Sequence, residues 1–403
     1  MDVTLRLPRT AAFWVIAATL LAFMFASAAP SPLYVVYQAD WGFSATTLTT
    51  VFAVYAMLLL LALVVVGGLS DHVGRRPVLA AALAGEVLGM ALFAAADGVG
   101  WLLAARAVQG LATGAALGAL SAALLDLAPG GNARLGSLVN SAAPTVGLAS
   151  GALGSGLLVQ LAPAPETLVF VLLLAAFALA VAGVAAVPET SAQRPGAIAS
   201  LRPRVGVPER MRSQFLVVLP CLLATWSVGG LYLSLGPSLA AGVLGLHSHL
   251  VGGLVIAVLM VAGTLGSVGL RDAPARPVML AGAGVLATGI GVTLLALALT
   301  SAAMFFAGTA VAGFGFGAAF LGAFGTLAGR AQPGERAELF ASVYTVSYLA
   351  FSVPALAAGL AVGSYGLRAT ATVYGAAVIA LCGAAMAGLL AQGALPKQAH
   401  TSP

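Results

Sequence analysis

The chain has 403 residues, 61% hydrophobic and only 7% charged, with a mean hydropathy of +1.06. A soluble globular domain carries about 25% charged residues, so the composition excludes one and points to an integral, all-α membrane protein. The formal charge of +5 raises nucleic acid as a partner, but the basic residues stand in small groups between apolar runs, so none is expected.

A hydrocarbon core about 30 Å thick needs about 20 apolar residues in a helix. Cutting the chain wherever Gly, Pro or charge interrupts such runs predicts twelve spans, at 11–37, 45–69, 77–96, 100–125, 135–160, 167–187, 213–239, 249–270, 277–299, 301–328, 336–362 and 369–391. The first follows Arg6 and Arg9 and reaches Ala26-Ser27-Ala28, which also resembles a cleaved signal peptide. Its apolar character continues to Tyr37, so it is read as a retained helix. With the N-terminus in the cytosol, every Lys and Arg except Arg106 and Arg368 falls on the cytosolic side, as the positive-inside rule requires. The expectation is a multi-pass protein of the cell inner membrane with both termini cytosolic. The longest loop, from Pro188 to Arg212, carries five arginines suited to anionic lipid head groups. It divides the chain into a bundle over 1–187, a linker over 188–212 and a bundle over 213–403.

Between spans 2 and 3 the chain reads GGLSDHVGRRPVLA, residues 67–80, with three charges in six positions. Gly74 permits a tight reversal, Pro77 suits the first turn of a helix, and Arg75 and Arg76 hold the loop in the cytosol. Asp71 meets the negative end of the helix 2 dipole and needs a partner. Asp126, ending helix 4, is the other acid at this depth, so a cluster of Asp71, Arg75 and Asp126 is expected. The alternative is that these charges set only topology and loop shape.

Within the hydrocarbon lie two charges, Glu86 in helix 3 and Arg106 in helix 4, and such residues are functional candidates by default. At 1.5 Å per residue their depths differ by roughly 5 to 8 Å, so they can pair if their faces agree. Glu86 is either a proton-coupling carboxyl or a group that satisfies a neighbour between the close-packing Gly85 and Gly89. Gly110, Gly114 and Gly118 on helix 4, Gly147 and Gly151 on helix 5, and Gly313 and Gly317 on helix 10 form smooth packing faces.

The two sets of six spans look like copies. Arg76-Pro77-Val78 recurs as Arg276-Pro277-Val278, and Ser31-Pro32-Leu33 on helix 1 has a counterpart in Pro237-Ser238-Leu239 on helix 7. A parallel six-plus-six repeat is one plan of secondary transporters.

Gly67-x-Leu69-x-Asp71-x-x-Gly74-Arg75-Arg76, placed between spans 2 and 3 of twelve, resembles the signature of the major facilitator superfamily. His72 stands where the family usually has a basic residue, and the second half keeps only Arg271, Asp272 and Arg276 of the pattern. The resemblance implies the major facilitator fold, twelve helices in two six-helix pseudo-repeats, working by alternating access as a monomer. It also implies that Asp71 faces the N-terminus of helix 11, near Glu335 to Glu338, when the cytosolic side is closed, so the cluster acts as a latch. Arg106-x-x-Gln109-Gly110 resembles the helix 4 motif associated there with proton coupling. Helix 5, from Asn140, resembles the antiporter signature at Pro144 and Gly147, while Ala143 and Leu148 stand where it has glycines. Helix 1 lacks the embedded acid of many drug exporters, and Asp40 lies just beyond its outer end. A proton-driven mechanism must then use Glu86, Asp40 or Asp126.

In this fold the central cavity is built mainly from helices 1, 2, 4, 5, 7, 8, 10 and 11. The candidate lining is Tyr34, Tyr37, Tyr55, Gln109, Asn140, Trp226, Tyr232, Tyr344 and Tyr348, an aromatic and weakly polar set. One Arg and two amides disfavour phosphate, dicarboxylate and sugar solutes, and an amphipathic drug-like molecule fits best. The competing reading packs half of these aromatics against neighbouring helices. The expected function is proton-coupled efflux by an antiporter, with an importer or facilitator of a small metabolite as the alternative. No enzyme activity, cofactor or metal is expected. There is no catalytic cluster or phosphate-binding loop, His247-x-His249 lacks a third ligand, and Cys221 and Cys382 lie in apolar runs.

Overall fold

The computed structural model describes residues 6–203, 205–332 and 335–394. Among them, twelve helices are long and apolar enough to cross a membrane. They are α1 (Arg9–Trp41), α2 (Ala45–Val66), α3 (Arg75–Ala94), α4 (Val99–Leu127), α5 (Ala133–Leu161), α6 (Leu168–Ala186), α7 (Arg212–Gly242), α8 (His249–Gly269), α9 (Ala275–Leu299), α10 (Ala302–Ala328), α11 (Arg336–Tyr365) and α12 (Leu367–Ala394). Because the helices alternate in direction, the residues between α6 and α7 share one face with the start of α1 and the end of α12. We call this the linker face and the opposite one the distal face.

Local chemistry sets the helix ends. Ser44 caps α2 by accepting from the Thr47 N–H, and Asn132 caps α5 by accepting from Leu135. Helix α1 is two segments, Arg9–Ala28 and Pro30–Trp41, and it runs four residues past the predicted Tyr37 before Gly42 closes it in the left-handed region at φ +65°. Pro30 has no N–H, so the carbonyl of Ala26, four residues before it, loses its helical donor.

The two halves repeat one packing scheme. In the first, α4 lies on α2 through Gly110 and Gly114, where an added Cβ would strike the Tyr55 and Leu59 carbonyls. In the second, α10 lies on α8 through Gly313 and Gly317, against the Leu259 and Gly263 carbonyls. The recurrent Arg-Pro-Val has a recurrent task as well. Arg76 at the start of α3 donates to the Ala185 carbonyl at the end of α6, and Arg276 at the start of α9 donates to the Leu389 carbonyl near the end of α12. The fold is thus an all-α membrane protein of two six-helix pseudo-repeats.

The halves meet mainly along two helix pairs, α2 with α11 and α5 with α8. On the distal side these contacts are tight. Gln160 Oε1 accepts from the His249 N–H at 3.1 Å and from Ser248 Oγ at 3.2 Å, and Thr46 Oγ1 donates to the Gly359 carbonyl at 3.1 Å. The Pro30–Trp41 segment of α1 also lies against α7 and α8. The distal end is therefore closed. On the linker face an exposed ion pair, Arg134 with Asp272 at 3.0 Å, bridges the halves.

Candidate functional site

Three groups of side chains carry the site. The first is the charged loop. Arg75 pairs with Asp126 and lies 3.9 Å from Asp71, so the expected trio is brought together. Asp126 also ties α1 into the cluster, because its carbonyl accepts from Arg9 at 2.6 Å. In this conformation Asp71 makes no hydrogen bond or ion pair with α11 among the described residues, and its side chain is 63% exposed. Glu335 at the start of α11 is taken by Arg210, whose guanidinium holds that carboxyl below its ordinary range, and Glu338 lies against Gly206. Gly67 ends α2, and its carbonyl sits against Gly118 of α4.

A partner that the sequence did not reveal completes the loop. Glu189, just beyond α6, accepts from the Arg75 N–H at 2.9 Å and the Arg76 N–H at 3.0 Å, the two leading donors of α3, and from its neighbours Thr190 and Ser191. Partial burial opposes ionisation of this carboxyl, but the four backbone donors outweigh it and hold the group below its usual value. Gly74 makes the contact possible. It sits at φ +105°, and a Cβ there would strike the Glu189 carboxyl. The linker then continues across the loop, with Ser191 Oγ and the Arg194 N–H donating to the Asp71 carbonyl, both at 3.1 Å.

The second group is a polar column buried in the first half. Glu86, Arg106, Gln109 and Thr113 are each 0% exposed, so Glu86 faces protein. Arg106 donates through Nε to Tyr34 Oη at 2.7 Å, and through Nη1 to the Ser27 carbonyl at 3.0 Å and to Gln109 Oε1 at 2.7 Å. Gln109 Nε2 donates at 3.0 Å to the Ala26 carbonyl, the one that Pro30 leaves without a helical donor. Further along α4, Thr113 donates to Glu86 Oε1 at 2.8 Å. Two atoms of the column have no partner among the described residues, Glu86 Oε2 and Arg106 Nη2. The two charged groups do not form an ion pair among the described residues; Gln109 binds Arg106, and Thr113, one turn along, binds Glu86. Thr113 was legible, since it lies one turn from Gln109 on the same face. Ser27 was not, because its role depends on the break in α1.

The third group is an aromatic array at the interface of the halves. Trp226 of α7 lies 4.9 Å from Tyr348 and 5.8 Å from Phe351, both on α11, and 5.7 Å from Phe320 of α10, all between ring centroids. Phe351 reaches across to Phe52 of α2 at 4.9 Å. Tyr344 packs beside this group, and the Trp226 Nε1 donor has no partner among the described residues. The sequence reading missed Phe52, Phe320 and Phe351. Tyr55 joins column and array: its hydroxyl donates to Ser27 Oγ at 2.6 Å, its ring lies 4.8 Å from the Arg106 guanidinium, and its side chain packs with Tyr348. The Ser27 hydroxyl is engaged with the Phe23 carbonyl, which fixes Tyr55 as the donor.

Other candidates fall elsewhere. Tyr37 is withdrawn from the cavity set, because it is buried in the first half, stacks on Trp41 at 4.6 Å and donates to the Glu166 carbonyl at 3.4 Å. Tyr232 is withdrawn too, because it is buried within the second half and bonds Thr309 of α10 at 3.0 Å. Tyr34 is buried against Arg106, Asn140 is half-buried on α5, and Asp40 is exposed at the distal end of α1, away from the column.

Comparison with known proteins agrees with this architecture. A stretch of 108 residues is 39% identical to the class C tetracycline resistance protein of Escherichia coli, and it spans only 26% of each chain. The structure is similar to the human organic anion transporter MFSD10, with a TM-score of 0.67, 18% identity, and 94% of this chain and 100% of that one covered. It is similar also to the nucleoside transporter NupG, with a TM-score of 0.72, 12% identity, and 94% and 99% covered. Residues 15–274 match the family described as the Major Facilitator Superfamily. With twelve spans, two packed repeats and the charged loop between α2 and α3, the chain belongs to the Major Facilitator Superfamily and is a multi-pass membrane protein with that transporter fold.

Proposed function

We propose that this transporter exports amphipathic, drug-like molecules in exchange for protons, rocking its two halves around the aromatic array. The linker face is cytosolic in this reading, in keeping with its arginines, and the protein resides as a monomer in the cell membrane. The observation that carries the proton coupling is Glu86. Burying an ionised carboxylate without a cation or several donors is very costly, and this one has a single donor, Thr113, and a bare second oxygen. Glu86 therefore holds a proton on Oε2 in this conformation. Arg106 stands one bond network away, and a conformation that brings it within ion-pair distance would favour release.

Tyr55 supplies the connection to substrate. A flat amphipathic solute stacking on Trp226 and Tyr348 and accepting from Trp226 Nε1 displaces Tyr348, and Tyr55 with it, from its place beside Arg106 and Ser27. The aromatic character of the array and the local similarity to a tetracycline resistance protein support an export substrate of this class.

The test is efflux of a fluorescent lipophilic dye from energised cells overexpressing the protein, with and without a protonophore. Extrusion should collapse with the protonophore, and both Glu86→Gln and Arg106→Ala should lower it at least about tenfold, the effect of about 1.4 kcal/mol in the limiting step. Dye flux that ignores the protonophore and survives Glu86→Gln would replace antiport with facilitated passage or import on the same fold.

A further inference from the structure

The buried column ends beneath a cavity at the distal face. A cavity of about 180 Å³, with a mainly polar lining, lies between the distal ends of α1 and α3 and the loop joining α5 to α6. Tyr37, Phe93, Ala96, Ala164 and Glu166 border it. Its floor is Phe93, which stacks on Phe170 of α6 with centroids 4.7 Å apart and planes within 8°. The Phe93 ring also lies 5.9 Å from the Arg106 guanidinium.

Below that floor the groups follow in sequence. Arg106 binds Gln109, Thr113 lies one turn further along α4, and Thr113 binds Glu86. Phe93 and Glu86 are seven residues apart on α3, two turns and about 10 Å along one face. Arg106 Nη2 and Glu86 Oε2, both unpartnered in residues with 0% exposure, lie on this line. Buried polar atoms without protein partners are usually satisfied by internal water, and two of them along one short path describe a hydrated relay.

We propose that this cavity is a proton port. A proton from the distal solution crosses the Phe93–Phe170 pair when the rings part, passes along water beside Arg106, and binds Glu86 Oε2. The positive charge of Arg106 disfavours a proton resting midway, so Glu86 is where it is held. The port reaches the column from the side away from Trp226, Tyr348 and Phe351, so proton and solute use separate routes and Tyr55 is where they meet. The inference rests on Glu86 as the protonated group of the proposed antiport.

The experiment reads the proton and not the transport. In Ala96→Cys the port gains a thiol, while Cys221 and Cys382 are buried at 1% exposure and stay unlabelled. Purified protein is transferred to heavy water, and the carboxylic acid band that disappears in Glu86→Gln is followed by infrared difference spectroscopy. Attaching a bulky maleimide at position 96 should slow hydrogen–deuterium exchange of that band at least about tenfold, while the same reagent on wild type changes nothing. Phe93→Ala should exchange faster than wild type. An unchanged rate in the labelled protein overturns the port and leaves antiport standing. Absence of the band in wild type overturns both. Slowed exchange beside dye flux that ignores a protonophore upholds the port and overturns the coupling.

Discussion

Glu189 lies 114 positions from Arg75 yet supplies the acceptor for the first two backbone donors of α3. An anion at a helix N-terminus satisfies orphan N–H groups and meets the positive end of the dipole. Glu189→Gln keeps one acceptor and loses the charge, and it should lower the stability of the purified protein by about 1 kcal/mol near neutral pH, as the loss of a helix cap does. The pH dependence follows from the depressed carboxyl. Its stabilising effect is fully present above the ordinary glutamate value of about 4.3 and is lost as pH falls through the lower value of the folded state. The stability difference between wild type and Glu189→Gln, measured by thermal unfolding in detergent, should thus hold at neutral pH and close on acidification. A difference that persists in acid would mean that shape, not charge, does the work.

Helix contacts are governed by carbonyls that glycines allow to approach. In Gly114→Ala the new Cβ would meet the Leu59 carbonyl, which is backbone and cannot turn aside, whereas nothing lies within 4 Å of a Cβ at Gly68. Gly114→Ala should cut the yield of folded protein by at least about half, an overpacking cost of 1 to 3 kcal/mol, and Gly68→Ala should match wild type; equal yields would remove close α2–α4 contact as the reason for the glycine. At this scale much was legible. Apolar run length gave all twelve helices, and the repeated Arg-Pro-Val pointed to the six-plus-six repeat, whose matching Arg76 and Arg276 anchors only the structure shows. The faces were less legible. Tyr37 and Tyr232 were set beside Tyr55 and Tyr348 because a helix in this fold buries aromatics both inside its own half and toward the centre, and sequence spacing does not separate the two. Pro30 and Gln109 were both visible, but their link runs through one carbonyl that a break in α1 leaves bare.

The whole molecule is closed at the distal end by Gln160, Ser248 and His249, while at the other Asp71 makes no hydrogen bond or ion pair with α11 among the described residues. If Asp71 docks on α11 only when the linker face closes, it stabilises the state opposite to this one, and a contact with one partner this exposed contributes up to about 1 kcal/mol. Asp71→Asn should then raise the distal-closed share by a factor of about five or less, keep folding normal and slow transport. The share can be read by placing cysteines at Gln160 and Ser248 and measuring the yield of a short bifunctional thiol cross-linker. Yield should rise when Asp71→Asn is added, and cross-linking itself should stop dye flux. Removal of the charge destabilises the linker-closed end of the cycle and so retards the step that leads to it, and that is why a surface carboxylate far from Glu86 and Trp226 should govern turnover. Unchanged yield together with unchanged flux would reduce Asp71 to a topology and loop-shaping residue, with Arg75 and Asp126 sufficient to hold the loop.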